Sequence, residues 1–170
     1  MELKKYIREV PDFPKKGILF YDITTLLQDK DAFKFCIDSL YDLVKNKKYD
    51  KVVAIESRGF IFASALALKL NAGFVILRKP GKLPYKTIQE SYDLEYGKNV
   101  LEMHIDALKK NEKILLVDDL LATGGTISAA INLVEKSNAK VEDILFVIEL
   151  EFLKGREKLK NYNVKSLIKY

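Results

Sequence analysis

The feature that most limits what this chain can fold into is an aliphatic run that stops at two carboxylates and a glycine turn. It reads Ile114-Leu-Leu-Val117, then Asp118-Asp119, then Leu120-Leu-Ala122-Thr123-Gly124-Gly125-Thr126. A half-exposed antiparallel strand would alternate polar and apolar residues, so four consecutive aliphatic residues bounded by charge predict a buried parallel strand ending at Val117. From Thr126 onward Ile127, Ala130, Ile131 and Val134 recur at helical spacing. The Thr-Gly-Gly-Thr turn therefore lies where a helix begins, and the first amides of a helix have no partner within it. Amides in that arrangement favour a phosphate, and open α/β sheets bind their ligands beyond the carboxyl ends of the strands.

The same grammar of strand, polar turn and helix occurs elsewhere. Val52 to Ile55 leads into Glu56-Ser57-Arg58-Gly59 and a helix from Phe60 towards Leu70. Phe74 to Leu77 leads into the basic loop Arg78-Lys-Pro-Gly-Lys82-Leu-Pro84, and Ile144 to Leu150 gives a further strand. Ser166 to Ile168 forms a terminal edge. Strands alternating with helices imply right-handed crossovers and an α/β fold, a parallel twisted sheet flanked by helices on both faces. Three polar loops then converge on one edge of that sheet. With 170 residues and 48% hydrophobic content, one domain spanning 1–170 can bury an adequate core.

Before the first core strand, Val10 to Gly17 holds two prolines and a glycine, which mark a shaped loop, and Ile18 to Ile23 reads as extended. Asp29 or Asp31 caps a helix whose apolar face is Phe33, Cys36, Ile37, Leu40 and Val44. Tyr85 to Gly97 has no convincing apolar period and reads as a long mobile loop, the kind that serves as a lid.

Composition removes several function classes. The single histidine, His104, leaves no histidine-rich metal site and reads as a hydrogen-bonded structural residue. The single cysteine, Cys36, excludes an internal disulfide, reads as core, and points to a reducing, cytoplasmic location. No apolar run reaches membrane-spanning length. Twenty-nine basic against 24 acidic residues leave +5, but the lysines are scattered as on a solvated surface, so neither a nucleic acid nor a membrane is an expected partner. The triphosphate signature G-x-x-x-x-G-K-[ST] and the dinucleotide signature G-x-G-x-x-G are both absent.

A phosphate turn, two carboxylates just before it and basic loops reaching the same edge suit a phosphorylated sugar bearing a second polyanion. Ionised Asp118 and Asp119 accept hydrogen bonds from ribose hydroxyls, while Thr123 and Thr126 add hydroxyl donors to the amides that hold phosphate. Arg58, Arg78, Lys79 and Lys82 would neutralise a diphosphate. Phe20 reads either as a stacking platform for a flat ligand or as core.

The run Val117-Asp118-Asp119-Leu120-Leu121-Ala122-Thr123-Gly124-Gly125-Thr126 resembles the donor-binding motif of the type I phosphoribosyltransferases. Further segments resemble the adenine-using branch of that family. These are Pro11-Asp-Phe-Pro14 with Gly17-Ile-Leu-Phe-Tyr-Asp-Ile23 as a base-covering hood, Glu56-Ser57-Arg58-Gly59-Phe60 as a pyrophosphate loop, Arg78 to Pro84, Tyr92 to Gly97, and Lys154-Gly-Arg-Glu-Lys-Leu159.

The resemblance implies the family fold with a small N-terminal hood at about 8–25 and a mobile loop at about 85–97. It implies transfer of phosphoribose from 5-phosphoribosyl 1-diphosphate to adenine, giving AMP and diphosphate in purine salvage. Mg²⁺ would be held mainly by substrate oxygens rather than by a protein cage, in a homodimer where Arg78 reaches the neighbouring site. By the same resemblance Asp118, Asp119, Ala122, Thr123, Gly124, Gly125 and Thr126 bind ribose and its 5-phosphate. Ser57, Arg58, Arg78, Lys79 and Lys82 bind diphosphate, and Leu19, Phe20 and Tyr21 bind the base, Tyr21 through its backbone. Glu95, with Arg58 and Asp118, is catalytic, and Tyr96 gates the loop.

Two alternatives share the cradle. One is a transferase for a 6-oxopurine or orotate, against which the hood residues speak. The other is a donor-sensing DNA-binding regulator, for whose extra module there is no spare length before Val10 or after Leu159.

Overall fold

The computed structural model describes residues 1–94 and 97–170, which fall into two compact units, Met1–Ser39 and Leu40–Tyr170. The first unit contains an antiparallel hairpin of β1 (Arg8–Pro11) and β2 (Leu19–Asp22), followed by α1 (Thr24–Gln28) and the start of α2 (Lys30–Val44). The proline-rich connection between the strands closes on itself, with the Gly17 amide donating to the Asp12 carboxylate at 2.6 Å. Gly17 holds φ +87°, a left-handed conformation that glycine enters without a Cβ penalty. Of the two candidate caps, Asp29 is the one used: its Oδ1 accepts the amides of Asp31 at 3.0 Å and Ala32 at 2.8 Å. Cys36 is fully buried, and that burial pushes its thiol up to about 12, so it stays protonated and unreactive.

The second unit is built on a five-stranded sheet, in the order β4 (Gly73–Leu77), β3 (Lys51–Ile55), β7 (Lys113–Leu121), β8 (Lys140–Glu149), β9 (Val164–Lys169). Every pairing in it is parallel. Helix α3 (Arg58–Leu70) packs on β3 and β7, and α4 (Gly125–Lys136) on β7 and β8. One core gathers Val53, Ile55, Ile114, Leu116, Ile144 and Phe146 against Ile127, Ile131 and Val134 of α4. The alternate residues Val52, Ala54, Leu115 and Val117 are equally buried, so both faces are covered, as a parallel sheet requires.

Two expectations are corrected. The central strand does not end at Val117: β7 continues through both aspartates, with Asp118 opposite Phe146 and Leu120 opposite Ile148. Pairing with the long β8 supplies backbone partners that the charged residues could not announce. Within the stretch read as a long loop, Thr87–Leu94 is a strand, β5, paired antiparallel with β6 (Gly97–His104). Ile88 and Tyr92 face the core, but Glu90 breaks their alternation by turning to α4, where it accepts from Asn132 Nδ2 at 2.9 Å and pairs with Lys136 at 2.5 Å. His104, on β6, accepts the Tyr85 amide through Nε2 at 3.3 Å, a structural role.

At the opposite end of the sheet from the glycine turn, the wholly buried Asp143 of β8 ties three segments together. It accepts from Tyr49 Oη at 2.6 Å, from Lys47 Nζ at 2.7 Å and from Asn163 Nδ2, with Lys165 Nζ at 3.3 Å. Burial alone would raise its carboxyl, but the bonds from Lys47 and Tyr49 and the lysine charges outweigh that and hold it below the usual range. Tyr49→Phe removes one donor from this acid and is expected to cost about 1–2 kcal/mol. Chemical denaturation checks it as a lower midpoint at unchanged slope.

Candidate active site

The glycine turn lies where β7 gives way to α4. Gly124 is the N-cap residue, at φ +81° and with no side-chain cap, so the first amides of α4 stay open to an anion. Its carbonyl is taken by Ser128, whose Oγ donates at 2.7 Å. A small cavity of about 70 Å³ here is lined by Asp118 and by every residue from Leu120 to Ile127. The predicted set Ala122, Thr123, Gly124, Gly125 and Thr126 is therefore gathered around one concavity.

A larger cavity of about 310 Å³ shares that wall. Ser57, Arg58, Lys79, Asp118, Asp119, Ala122 and Thr126 line it, together with Glu56, Tyr92 and Asn99. Ser57 precedes α3, Lys79 follows β4, and the aspartates sit on β7, so three successive strand ends supply one site, as predicted for an α/β sheet. Gly59 is what lets the first of these approach the third. A Cβ there would stand 2.8 Å from Asp118 Oδ1 and 3.3 Å from the Val117 carbonyl oxygen.

The two carboxyl groups work against each other's ionisation. Burial drives the Asp118 carboxyl well above the usual range, and the charge of Asp119 drives it further. Burial also raises Asp119, against which the Arg58 guanidinium works at 2.8 Å from Nε to Oδ2. Ionisation of the pair is thus opposed by burial and by mutual repulsion and favoured by Arg58, so a hydroxyl-rich ligand or a cation beside it would favour the charged form.

The sequence of the phosphoribosyl transferase domain family matches residues 22–169, nearly the whole chain. The adenine phosphoribosyltransferase of Brachyspira hyodysenteriae is 58% identical over 170 residues, covering 100% of both chains. The chain belongs to the adenine phosphoribosyltransferase family. Among solved structures, the adenine phosphoribosyltransferase of Thermoanaerobacter pseudethanolicus matches with TM-score 0.97 and 51% identity, over 99% of this chain and 98% of that one. The Saccharomyces cerevisiae adenine phosphoribosyltransferase, solved with an imino-altritol bisphosphate and adenine, matches with TM-score 0.91 and 41% identity, over 97% and 96%.

In this phosphoribosyltransferase the other predicted residues fall as follows. Arg78 and Lys82 do not line the cavity: Arg78 Nε is 2.8 Å and Lys82 Nζ 3.1 Å from the carboxylate of Glu56. Leu19, Phe20 and Tyr21 lie on β2 of the N-terminal unit, with Tyr21 buried and Phe20 edge-on to Phe13 at 5.1 Å between ring centres. Glu95 and Tyr96 lie outside the described residues.

Four further participants carry no sign of their place in their own residue types. Glu56 sits inside a recognised motif but shows its role only through partners more than twenty residues away. Tyr92 and Asn99 reach the cavity from β5 and β6, which the broken alternation hid. Gly155 gave one signal, its place between Lys154 and Arg156 in a short turn. A Cβ at Gly155 would lie 2.2 Å from the Ala122 carbonyl oxygen, so this turn packs directly against the glycine turn.

Proposed function

We infer that this chain is an adenine phosphoribosyltransferase, converting adenine and 5-phosphoribosyl 1-diphosphate to AMP and diphosphate. The observation that carries the reading is the joining of the phosphate turn, the two aspartates and the Ser57–Arg58 and Lys79 loops in one cavity. In the reaction the bond from the anomeric carbon to diphosphate breaks, a bond from that carbon to an adenine ring nitrogen forms, and that nitrogen gives up its proton. Charge therefore separates: the ribose becomes cationic as the diphosphate gains negative charge. The amides and hydroxyls of Thr123 to Thr126, with Ala122, fix the 5-phosphate and so aim the anomeric carbon. Asp118 and Asp119 hold the ribose hydroxyls, and their negative charge complements the ribose as it turns cationic. Ser57, Arg58 and Lys79, joined by Arg78 and Lys82, stabilise the departing diphosphate.

The same reading assigns adenine to Leu19, Phe20 and Tyr21, proton handling at the base to Glu95, and exclusion of water to a loop gated by Tyr96. Among the described residues no group of three histidine, cysteine or acidic side chains could cage a metal. On this reading Mg²⁺ would be carried mainly by substrate oxygens, with Asp118 and Asp119 the acids nearest to hold it, and would supply positive charge to the leaving diphosphate. A cytoplasmic homodimer completes the proposal. Sedimentation tests the dimer, with a monomer mass as the refuting result. Incubation with the donor, Mg²⁺ and adenine, hypoxanthine, guanine or orotate in turn tests the activity. AMP formation from adenine at the highest kcat/KM is expected, and equal or better use of hypoxanthine refutes the base assignment.

A further inference from the structure

A carboxylate in the wall of a site built for a diphosphate is out of place on charge grounds. The larger cavity is lined by three acids, Glu56, Asp118 and Asp119, against two cations, Arg58 and Lys79. A polyanion would gain little there unless more positive charge were delivered when it binds. The two further cations of the basic loop are close by, but both are bonded to Glu56, which also accepts the Lys79 amide at 3.2 Å.

The three partners are unequally exposed. The Glu56 side chain is 6% exposed, whereas Arg78 is 33% and Lys82 48% exposed. The acid is fixed by its surroundings, and the cations are the groups able to turn away. The loop backbone is pinned independently, since the Gly81 amide donates to buried Glu102 at 3.1 Å and Arg78 bridges Glu102 through its main chain. Side chains can therefore change partner without the loop unfolding. Bonds from Arg78 and Lys82 also outweigh the burial that would raise the Glu56 carboxyl and hold it below the usual range, so it rests as an anion.

Resting on the transferase reading above, we propose that Glu56 is the resident counter-ion of the diphosphate subsite, holding Arg78 and Lys82 until the phosphates of the donor take them over. Glu56 is a positioning residue: it touches no reacting atom and acts through the cations it lends. It weakens binding of the donor and of product diphosphate alike, and so speeds diphosphate release.

Binding of inorganic diphosphate with Mg²⁺ by calorimetry tests this in the wild type, Glu56→Gln and Glu56→Asp. Gln keeps the shape and removes the charge, so diphosphate is expected to bind about 5- to 20-fold tighter, with KM for the donor lowered and kcat lowered through slower release. Asp keeps the charge and is expected to stay near wild type. Unchanged or weaker binding by Glu56→Gln overturns the proposal, because Glu56 would then only scaffold the loop, and tightening by Glu56→Asp equal to that by Gln overturns it as well. If Glu56→Gln does not fold, the Arg78 Nε–H resonance of the wild type decides. A shift on saturation with diphosphate supports the exchange of partners, and an unmoved resonance overturns it. A wild type that makes no AMP and binds no diphosphate defeats the transferase reading too, which separates that failure from one confined to Glu56.

Discussion

Asp118→Asn is expected to lower kcat/KM by about 10²- to 10³-fold while raising the thermal midpoint of the ligand-free protein. The two effects have one cause. Asp118 is placed where burial and the neighbouring Asp119 disfavour its ionised form more than the Asp119 amide and Arg58 favour it, so the folded protein bears a cost that the charge of a reacting ribose or of a bound cation would offset. Asparagine retains an oxygen to accept the Asp119 amide, which Asp118 Oδ1 takes at 2.9 Å, and removes the charge. The sign of the pH dependence follows. An aspartate in the unfolded chain titrates at about 3.9, and in the fold Asp118 titrates higher. As pH rises through that window the unfolded chain releases its proton first, so the wild type loses stability that the variant keeps. The difference in midpoint should vanish in acid and grow towards neutral pH, reaching about 2–4 °C for each kcal/mol relieved. A variant no more stable than wild type at neutral pH, or one with unaltered kcat/KM, refutes the assignment.

This arrangement places function and stability in opposition at one residue, as expected where a site is organised for a charge that exists only during reaction. The resting ion pair of Arg58 with Asp119 belongs to the same logic. Arg58 leans on Asp119, and Arg78 and Lys82 on Glu56, partners from which a bound polyanion would have to take them.

How far the sequence reveals this depends on the range of the interaction concerned. Strands β3, β7 and β8 are legible because a parallel strand is aliphatic over the stretch that is buried on both faces, and Val52 to Ile55 or Ile114 to Val117 can hardly be anything else. The glycine turn is legible because its chemistry is local. The extension of β7 through Asp118 and Asp119 is not, since charge normally closes such a strand and only the register with β8 keeps it paired. The β5–β6 hairpin is hidden by Glu90, whose partners Asn132 and Lys136 lie more than forty residues away. The same distance problem turns Arg78 and Lys82 from free cations into partners of Glu56. Residue types told which charges the site would contain, and tertiary pairing decided which of them were already spoken for.

Gly155→Ala should raise the Kd for ribose 5-phosphate or for the donor by about 10²-fold, although residue 155 bears no group able to touch either. A Cβ at this position meets the Ala122 carbonyl oxygen at 2.2 Å, the Gly124 nitrogen at 3.0 Å and Leu121 Cδ1 at 3.0 Å. The first two are backbone atoms of the phosphate turn and cannot swing aside. From the other side, a Cβ on Gly124 would stand 2.7 Å from the Gly155 carbonyl oxygen, so the two glycines form a mutual contact that neither strand of chain can vacate alone. Nor can the lower turn retreat: Arg156 grips Glu149 with Nε at 2.8 Å and Nη2 at 2.5 Å, and donates to the Val164 carbonyl at 2.8 Å. The methyl group must therefore lift the glycine turn, moving the amides proposed to hold the 5-phosphate and with them the anomeric carbon of a bound donor. Overpacking of this kind costs about 1–3 kcal/mol of stability, so the loss of affinity is measured by calorimetry well below the melting transition. Gly73→Ala is the control, because the nearest atoms to its Cβ would be Lys51 side-chain carbons at 3.4 and 3.5 Å and the Asp50 carbonyl oxygen at 3.6 Å, all ordinary contacts. Ligand affinity in Gly155→Ala within about twofold of that control would show that the turn yields, and that its position is set by α4 alone.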